Sequence, residues 1–100
     1  MWATHYVDDA FPGFVACRLI DAHGATWTFI EKVPVVSCAD LDARSAYPQP
    51  ATLACHVVAT RRGLDGRDIA TIDTSAPWGH AATSGETRFD VFADDLTALG

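Results

Sequence analysis

The first third of the chain contains two short runs in which apolar side chains recur at every second position, and this alternation constrains the fold more than any other feature. A period of two places successive side chains on opposite faces, which is the pattern of a half-buried β-strand and not of an amphipathic helix. Both runs are rich in β-branched and aromatic residues, which favour strands. The apolar residues that share one face are Val15, Cys17, Leu19, Trp27 and Phe29.

Asp21 and Gly24 bracket the turn between these two runs. Asp suits the first position of a type I turn, and Gly suits the left-handed residue that closes it. A three-residue loop with a bulge at Gly24 then pairs Cys17 with Phe29 across a hairpin. A shorter loop would place Arg18 opposite Phe29, so burial of the apolar face favours the first register.

Three segments further along the chain indicate more strands, and one indicates a helix. Leu53 to Thr60 carries apolar residues on both faces, which predicts a central strand. A glycine-containing turn follows, then Asp68 to Asp73 and, after a long loop, Glu86 to Ala93 alternate again. Ser37 is a suitable N-cap for a short helix over residues 38–45, which the nearby prolines would end.

These elements predict an all-β fold, either a small antiparallel barrel or a compact sandwich of about five strands with one or two short helices. The apolar faces must pack together, because an isolated hairpin is only marginally stable. An α+β sheet with the 38–45 helix across it is the alternative. Asp94 is expected to cap a last turn through Leu96 and Leu99. The 100 residues contain no linker and predict a single domain, 1–100.

The charge of the chain narrows the classes of partner. Seven basic residues face thirteen acidic ones, for a formal net charge of −6. Proteins that bind nucleic acid present a basic stripe, whereas the basic doublet here is Arg61 and Arg62, with Arg67 nearby, at the expected ends of a hairpin. Net negative charge also disfavours anionic membranes. We therefore expect a protein partner or self-association, and neither nucleic acid nor membrane as a partner.

Residue usage points to a bacterial, cytoplasmic protein. The chain has no Asn and a single Lys, Lys32, whereas Ala and Arg are plentiful, which is typical of a GC-rich genome. The first residues include neither a basic segment nor a long apolar run, so a signal peptide is not expected.

The cysteines and the short motifs give no sign of a metal, a cofactor or a catalytic residue. Cys17, Cys38 and Cys55 are widely spaced and form no tight ligand pair, so we interpret them as structural, with a zinc site as the alternative. The serines stand in no nucleophile-elbow motif, and the glycines form no phosphate-binding loop. The sequence favours a non-enzyme and leaves the question of catalysis open.

Four side chains remain as candidate binding residues. Trp78 and His80 share the loop of small residues at 75–85, which is expected to contact a partner. Glu31 falls on the core face near a strand end, where a buried carboxylate marks a candidate site. His56 lies on the strand predicted over Leu53 to Thr60.

Two hypotheses about function follow. The first is a small acidic binding or regulatory module that acts through protein–protein contact, in one version immunity- or antitoxin-like, with the 75–85 loop as its surface. The alternative is a small-ligand-binding protein or enzyme with a pocket at the mouth of a barrel. A concave pocket that joined two of Glu31, His56 and His80 would favour the alternative.

Overall fold

The computed structural model describes residues 1–96 and has the predicted all-β fold. Its strands are β1 (Trp2–Asp8), β2 (Phe14–Ile20), β3 (Thr26–Lys32), β4 (Gln49–Pro50), β5 (His56–Arg62), β6 (Asp68–Asp73) and β7 (Arg88–Phe92). They form two antiparallel sheets, the first in the order β3-β2-β1-β4 and the second in the order β5-β6-β7. The sheets pack together without closing into a barrel, so of the two expected architectures the barrel is not the one formed.

The hairpin of β2 and β3 has the register that the alternation predicts. Cys17 pairs with Phe29 and Leu19 with Trp27, so their side chains share one face. Gly24 has a φ of +80°, which an L side chain rarely adopts, and its N–H donates to the carbonyl of Asp21. The register predicted from the turn residues and the alternation is therefore confirmed.

The carboxylate of Asp21 is buried in this turn and fully engaged. Its Oδ1 accepts the backbone N–H groups of His23 and Ala25, and its Oδ2 accepts the indole N–H of Trp27, all at 2.9 Å. Burial alone raises the pKa of Asp21, but these three hydrogen bonds outweigh it and hold the pKa below its ordinary value. The hydrogen bond from Trp27 therefore holds the turn against β3, the second strand of the same hairpin.

Aromatic side chains from both sheets meet in the core. Phe29 of the first sheet is fully buried and packs edge to face against Phe89 of the second, with ring centroids 5.6 Å apart. Half-buried Trp27 makes a similar contact with Phe89 at 5.1 Å. Such aromatic pairs contribute about 0.5–1.5 kcal/mol of stability beyond the free energy gained by burying their surface. Smaller buried residues complete this core: Ala3, Val15, Cys17, Ala70, Ile72 and Val91.

The helical segments differ from the prediction. The helix α1 spans Val33–Val36, with Pro34 in its first turn, where a missing N–H costs nothing. Residues 38–45 form turns instead, because the side chains of Ser37 and Asp42 accept nearby backbone N–H groups and so compete with a helix. The α+β alternative was therefore wrong. No helix among residues 1–96 is both long and apolar enough to cross a bilayer.

The end of the chain departs from expectation in its details. The last strand is shorter than the predicted 86–93, and a single 3-10 turn, Ala93–Asp95, follows it. Asp94 lies inside this turn, which has no side-chain cap. The expected continuation through Leu99 falls outside the described residues.

The strand predicted over Leu53 to Thr60 as a central strand is instead the edge strand β5. Leu53 and Cys55 precede β5 and are half-buried, whereas all seven residues of His56–Arg62 are exposed. The apolar residues on both of its faces suggested burial on both sides, but β5 lies at the free edge of the second sheet and both faces meet water.

Candidate functional site

The structure brings together two of the four predicted site residues. His80 Nδ1 lies 3.1 Å from Glu31 Oε1, and these side chains are only 11% and 15% exposed. Trp78 is 70% exposed on the same loop as His80. His56 lies in the other sheet, exposed at the start of β5 and opposite Asp73. The four residues therefore do not form one site.

The contact between Glu31 and His80 fastens the 75–85 loop to the first sheet. The backbone N–H of His80 donates to the carbonyl of buried Thr74, whose hydroxyl donates back to the carbonyl of His80. Further along, the N–H of Thr83 donates to the carbonyl of Thr28 on the edge of β3. The loop is therefore held at two points, and its exposed tryptophan projects from a fixed base.

The chemistry open to the Glu31–His80 pair is limited by its surroundings. A carboxylate beside one ring nitrogen, with the other nitrogen free, is how general-base and metal-ligating histidines are oriented. Here Nε2 of His80 is buried and has no hydrogen-bond partner. Neither of the two surface clefts described below is lined by the pair. The pair holds the loop in place, and the ring nitrogen that does not face Glu31 is buried.

The thiols are also poor candidates for chemistry. Burial, and then the charge of Glu31, raise the pKa of Cys17 to about 11, so its reactive thiolate form is scarce at neutral pH. Burial likewise raises the pKa of Cys55. Within the described part of the chain, no group of three His, Cys, Asp or Glu side chains is arranged to hold a metal ion.

A polar cluster that the sequence reasoning missed joins the two sheets at Asp90. Oδ2 of Asp90 accepts from His23 Nε2 at 2.9 Å and from Arg61 Nη2 at 3.0 Å, and Oδ1 accepts the hydroxyl of Thr71 at 2.6 Å. These hydrogen bonds hold the pKa of Asp90 far below its usual range. The cluster borders a surface cleft of about 220 Å³ that Asp21 and Arg88 also line. Its polar groups are satisfied by one another, which is the behaviour of a structural clamp.

The edges of the two sheets differ in how they are protected. Edge β3 receives the N–H of Thr83, and the edge of β7 receives the N–H of Ala22, which donates to the carbonyl of Asp90 at 2.7 Å. The start of β1 is paired, at Trp2 and Ala3, with the two-residue strand β4. Natural proteins protect their edges in such ways, because an unpaired edge is a template for another strand. Within residues 1–96, β5 is the outermost strand, among those longer than two residues, that receives no backbone hydrogen bond from a segment outside its own sheet.

The backbone groups that β5 offers to a partner follow from its hairpin. The N–H of Gly63 donates to the carbonyl of Arg67, so this pair is a hydrogen-bonded one. Since hydrogen-bonded and non-bonded pairs alternate along an antiparallel ladder, Arg61 bonds toward β6, whereas Thr60 and Arg62 turn their N–H and C=O groups outward. Nearby Val58 is the extra residue of a bulge in this strand.

The side chains of β5 are also available. Val57 and Val58 are 43% and 42% exposed. Arg62 is 74% exposed and only 3.7 Å from Asp68, a loose ion pair. The signal in the sequence was present but ambiguous, because valines next to a basic doublet fit either a buried strand that ends in charge or an exposed edge.

Comparison with known proteins gives no functional lead: no protein-family model, no curated protein and no solved structure matches the chain.

Proposed function

We propose that the protein is a binding module that accepts an extended segment of a partner protein along β5. The observation that carries this proposal is the seven-residue edge, exposed on both faces, which among the long outer strands of residues 1–96 is the one that receives no backbone hydrogen bond from another segment. In this mode of recognition, backbone hydrogen bonds supply affinity, and alternate side chains supply specificity. The bacterial and cytoplasmic setting, and the immunity- or antitoxin-like version, remain predictions from composition, size and charge.

The charges of β5 favour an acidic segment. The strand contains His56, Arg61 and Arg62 and no acidic residue, although the chain as a whole carries a net charge of −6. Opposite charges directly across a strand pair contribute about 0.2–1 kcal/mol, and like charges oppose pairing. An antiparallel partner strand is therefore expected to present acidic residues near Arg62 and apolar or β-branched residues near the two valines.

A second copy of this chain is a poorer occupant. Symmetric antiparallel pairing of β5 about Ala59 would place Arg62 opposite His56 of the other copy and bring two arginine doublets onto one ribbon. The bulge at Val58 further disturbs an unspecific edge-to-edge match. The bulge interrupts pairing with any strand, whereas the repulsion between arginines is absent with an acidic partner, so the charges favour an acidic segment over a second copy.

Thr60→Pro tests the proposal directly, because Pro at this position removes an outward N–H and leaves the bonds to β6 in place. The probe is a fluorescent eight-residue peptide of alternating Val and Thr that begins with two Glu, and its analogue has two Gln instead. We expect the protein to bind the Glu peptide more tightly than the Gln analogue by about two- to fivefold in low salt. Thr60→Pro is expected to abolish binding of both peptides by fluorescence anisotropy.

Thr60→Val is the matched control, since it keeps the N–H and a β-branched side chain, and it is expected to bind as the wild type does. Circular dichroism of the Pro variant checks that the sheet is retained. Unchanged binding by Thr60→Pro, or equal affinity for the two peptides, would contradict the proposal. A wild-type dimer in sedimentation equilibrium that Thr60→Pro converts to a monomer would identify a second copy as the occupant instead.

A further inference from the structure

A shallow apolar groove lies on the outer face of the first sheet, away from β5. Its volume is about 260 Å³, and its walls are Trp2, Thr4, Arg18, Ile20 and Pro48. Trp2 and Ile20 are 52% and 57% exposed, so large apolar surfaces face the solvent here. Trp2 of β1 is the cross-strand partner of Arg18 of β2, so the two side chains leave the sheet from adjacent positions on one face.

Arg18 has no carboxylate partner in the groove. Among residues 1–96, no carboxylate lies within ion-pair distance of Arg18. By contrast, Arg61, Arg62 and Arg88 each pair with an aspartate. An exposed guanidinium presents a planar fork of donors that matches a carboxylate with two parallel hydrogen bonds. An apolar groove with such a group at one side favours a ligand that is apolar at one end and anionic at the other.

We propose that this groove binds a small aromatic carboxylate, with its ring against Trp2 and Ile20 and its carboxylate on Arg18. An enclosed cavity of about 150 Å³ accommodates benzene, so a groove of about 260 Å³ has room for one ring and a carboxylate. Because the groove is open to solvent, the affinity is weak, with a dissociation constant on the order of millimolar. This site is independent of β5 and of the function proposed above.

The test is an NMR titration of the ¹⁵N-labelled protein with phenylacetate. The two reporters are the indole N–H of Trp2 and the Nε–H of Arg18, and both are expected to shift together to saturation. Benzyl alcohol has the same ring without the charge, and phenethylamine has the opposite charge. We expect both to bind at least about threefold more weakly than phenylacetate, as a screened charge-assisted pair allows.

Two variants separate the groove from general effects of charge. Arg18→Gln is expected to weaken phenylacetate binding by about three- to tenfold. Arg88→Gln makes the same change in net charge on the other sheet and is expected to leave binding unchanged. Equal binding of benzyl alcohol, shifts centred outside the groove, or unchanged affinity of Arg18→Gln would each overturn the proposal.

Discussion

Replacing Asp90 with asparagine is expected to lower the free energy of unfolding by about 1–2 kcal/mol at pH 7. The Asp90 carboxylate accepts hydrogen bonds from Thr71 at 2.6 Å, Arg61 at 3.0 Å and His23 at 2.9 Å. Hydrogen bonds to a charged group are nominally worth about 1.5–3 kcal/mol each. Arg61 and His23 are 50% and 59% exposed, so solvent screening strongly reduces their share.

The dependence of this loss on pH follows from the lowered pKa of Asp90. A carboxyl whose pKa is lower in the folded state contributes stability above its unfolded pKa of about 3.9 and loses that contribution as the pH falls through the folded value. Asparagine does not titrate. The difference in stability between the wild type and Asp90→Asn is therefore expected throughout the range above about pH 5, and to shrink below about pH 4.

The assay is urea unfolding followed by tryptophan fluorescence at pH 7, 5, 4, 3 and 2, compared at equal ionic strength. Asp68→Asn is the control, because its carboxylate is 62% exposed and lies 3.7 Å from Arg62, and a change of less than about 0.5 kcal/mol is expected. Equal unfolding midpoints for the wild type and Asp90→Asn at pH 7, or a difference that persists undiminished at pH 2, would refute this account of the cluster.

Two further predictions concern the core and the thiols. Phe29→Ala removes a fully buried ring that contacts Phe89, and it is expected to lower the free energy of unfolding by about 3–5 kcal/mol. The thermal midpoint in a calorimetric scan should fall by more than about 12 °C, and a drop of only a few degrees would show that the two sheets are not joined through this ring. Cys38 is exposed and is expected to react with a thiol reagent in the native protein at pH 7.5, whereas buried Cys17, with a pKa of about 11, is expected to react only after unfolding. Mass spectrometry of the labelled peptides distinguishes the two thiols, and labelling of both at equal rates would contradict the structure.

Local features of the sequence were sufficient to predict the hairpin of β2 and β3. The alternation at Cys17 and Phe29 and the turn residues Asp21 and Gly24 act within about a dozen positions, so the register follows from short-range chemistry. Strand β1 was missed because its pairing with β2 shifts register after Ala3, which breaks the period-two pattern. The edge position of β5 was missed because the extent to which one sheet covers another depends on packing between segments distant in the sequence.

For the candidate site too, the sequence identified single residues but not the contacts between them. Glu31 and His80 were identified separately, one as a strand-end carboxylate on the core face and one as a loop residue, but nothing in their spacing predicts the 3.1 Å contact between them. The cluster at Asp90 draws on side chains from both sheets, and no motif of fixed spacing describes it. A turn histidine such as His23 has an ordinary local role, and only the tertiary structure gives it a partner.

The unequal protection of the sheet edges also sets the valency of the molecule. A subunit with two long open edges adds a neighbour on each side and grows into a filament, because such head-to-tail contacts do not close. Among residues 1–96, β5 is the long outer strand that receives no backbone hydrogen bond from another segment, whereas β7, at the opposite edge of the same sheet, accepts the N–H of Ala22. If a partner strand docks on β5 as proposed, the extended sheet ends at β7 on the far side, and we expect the complex to add one strand and not to grow into a filament.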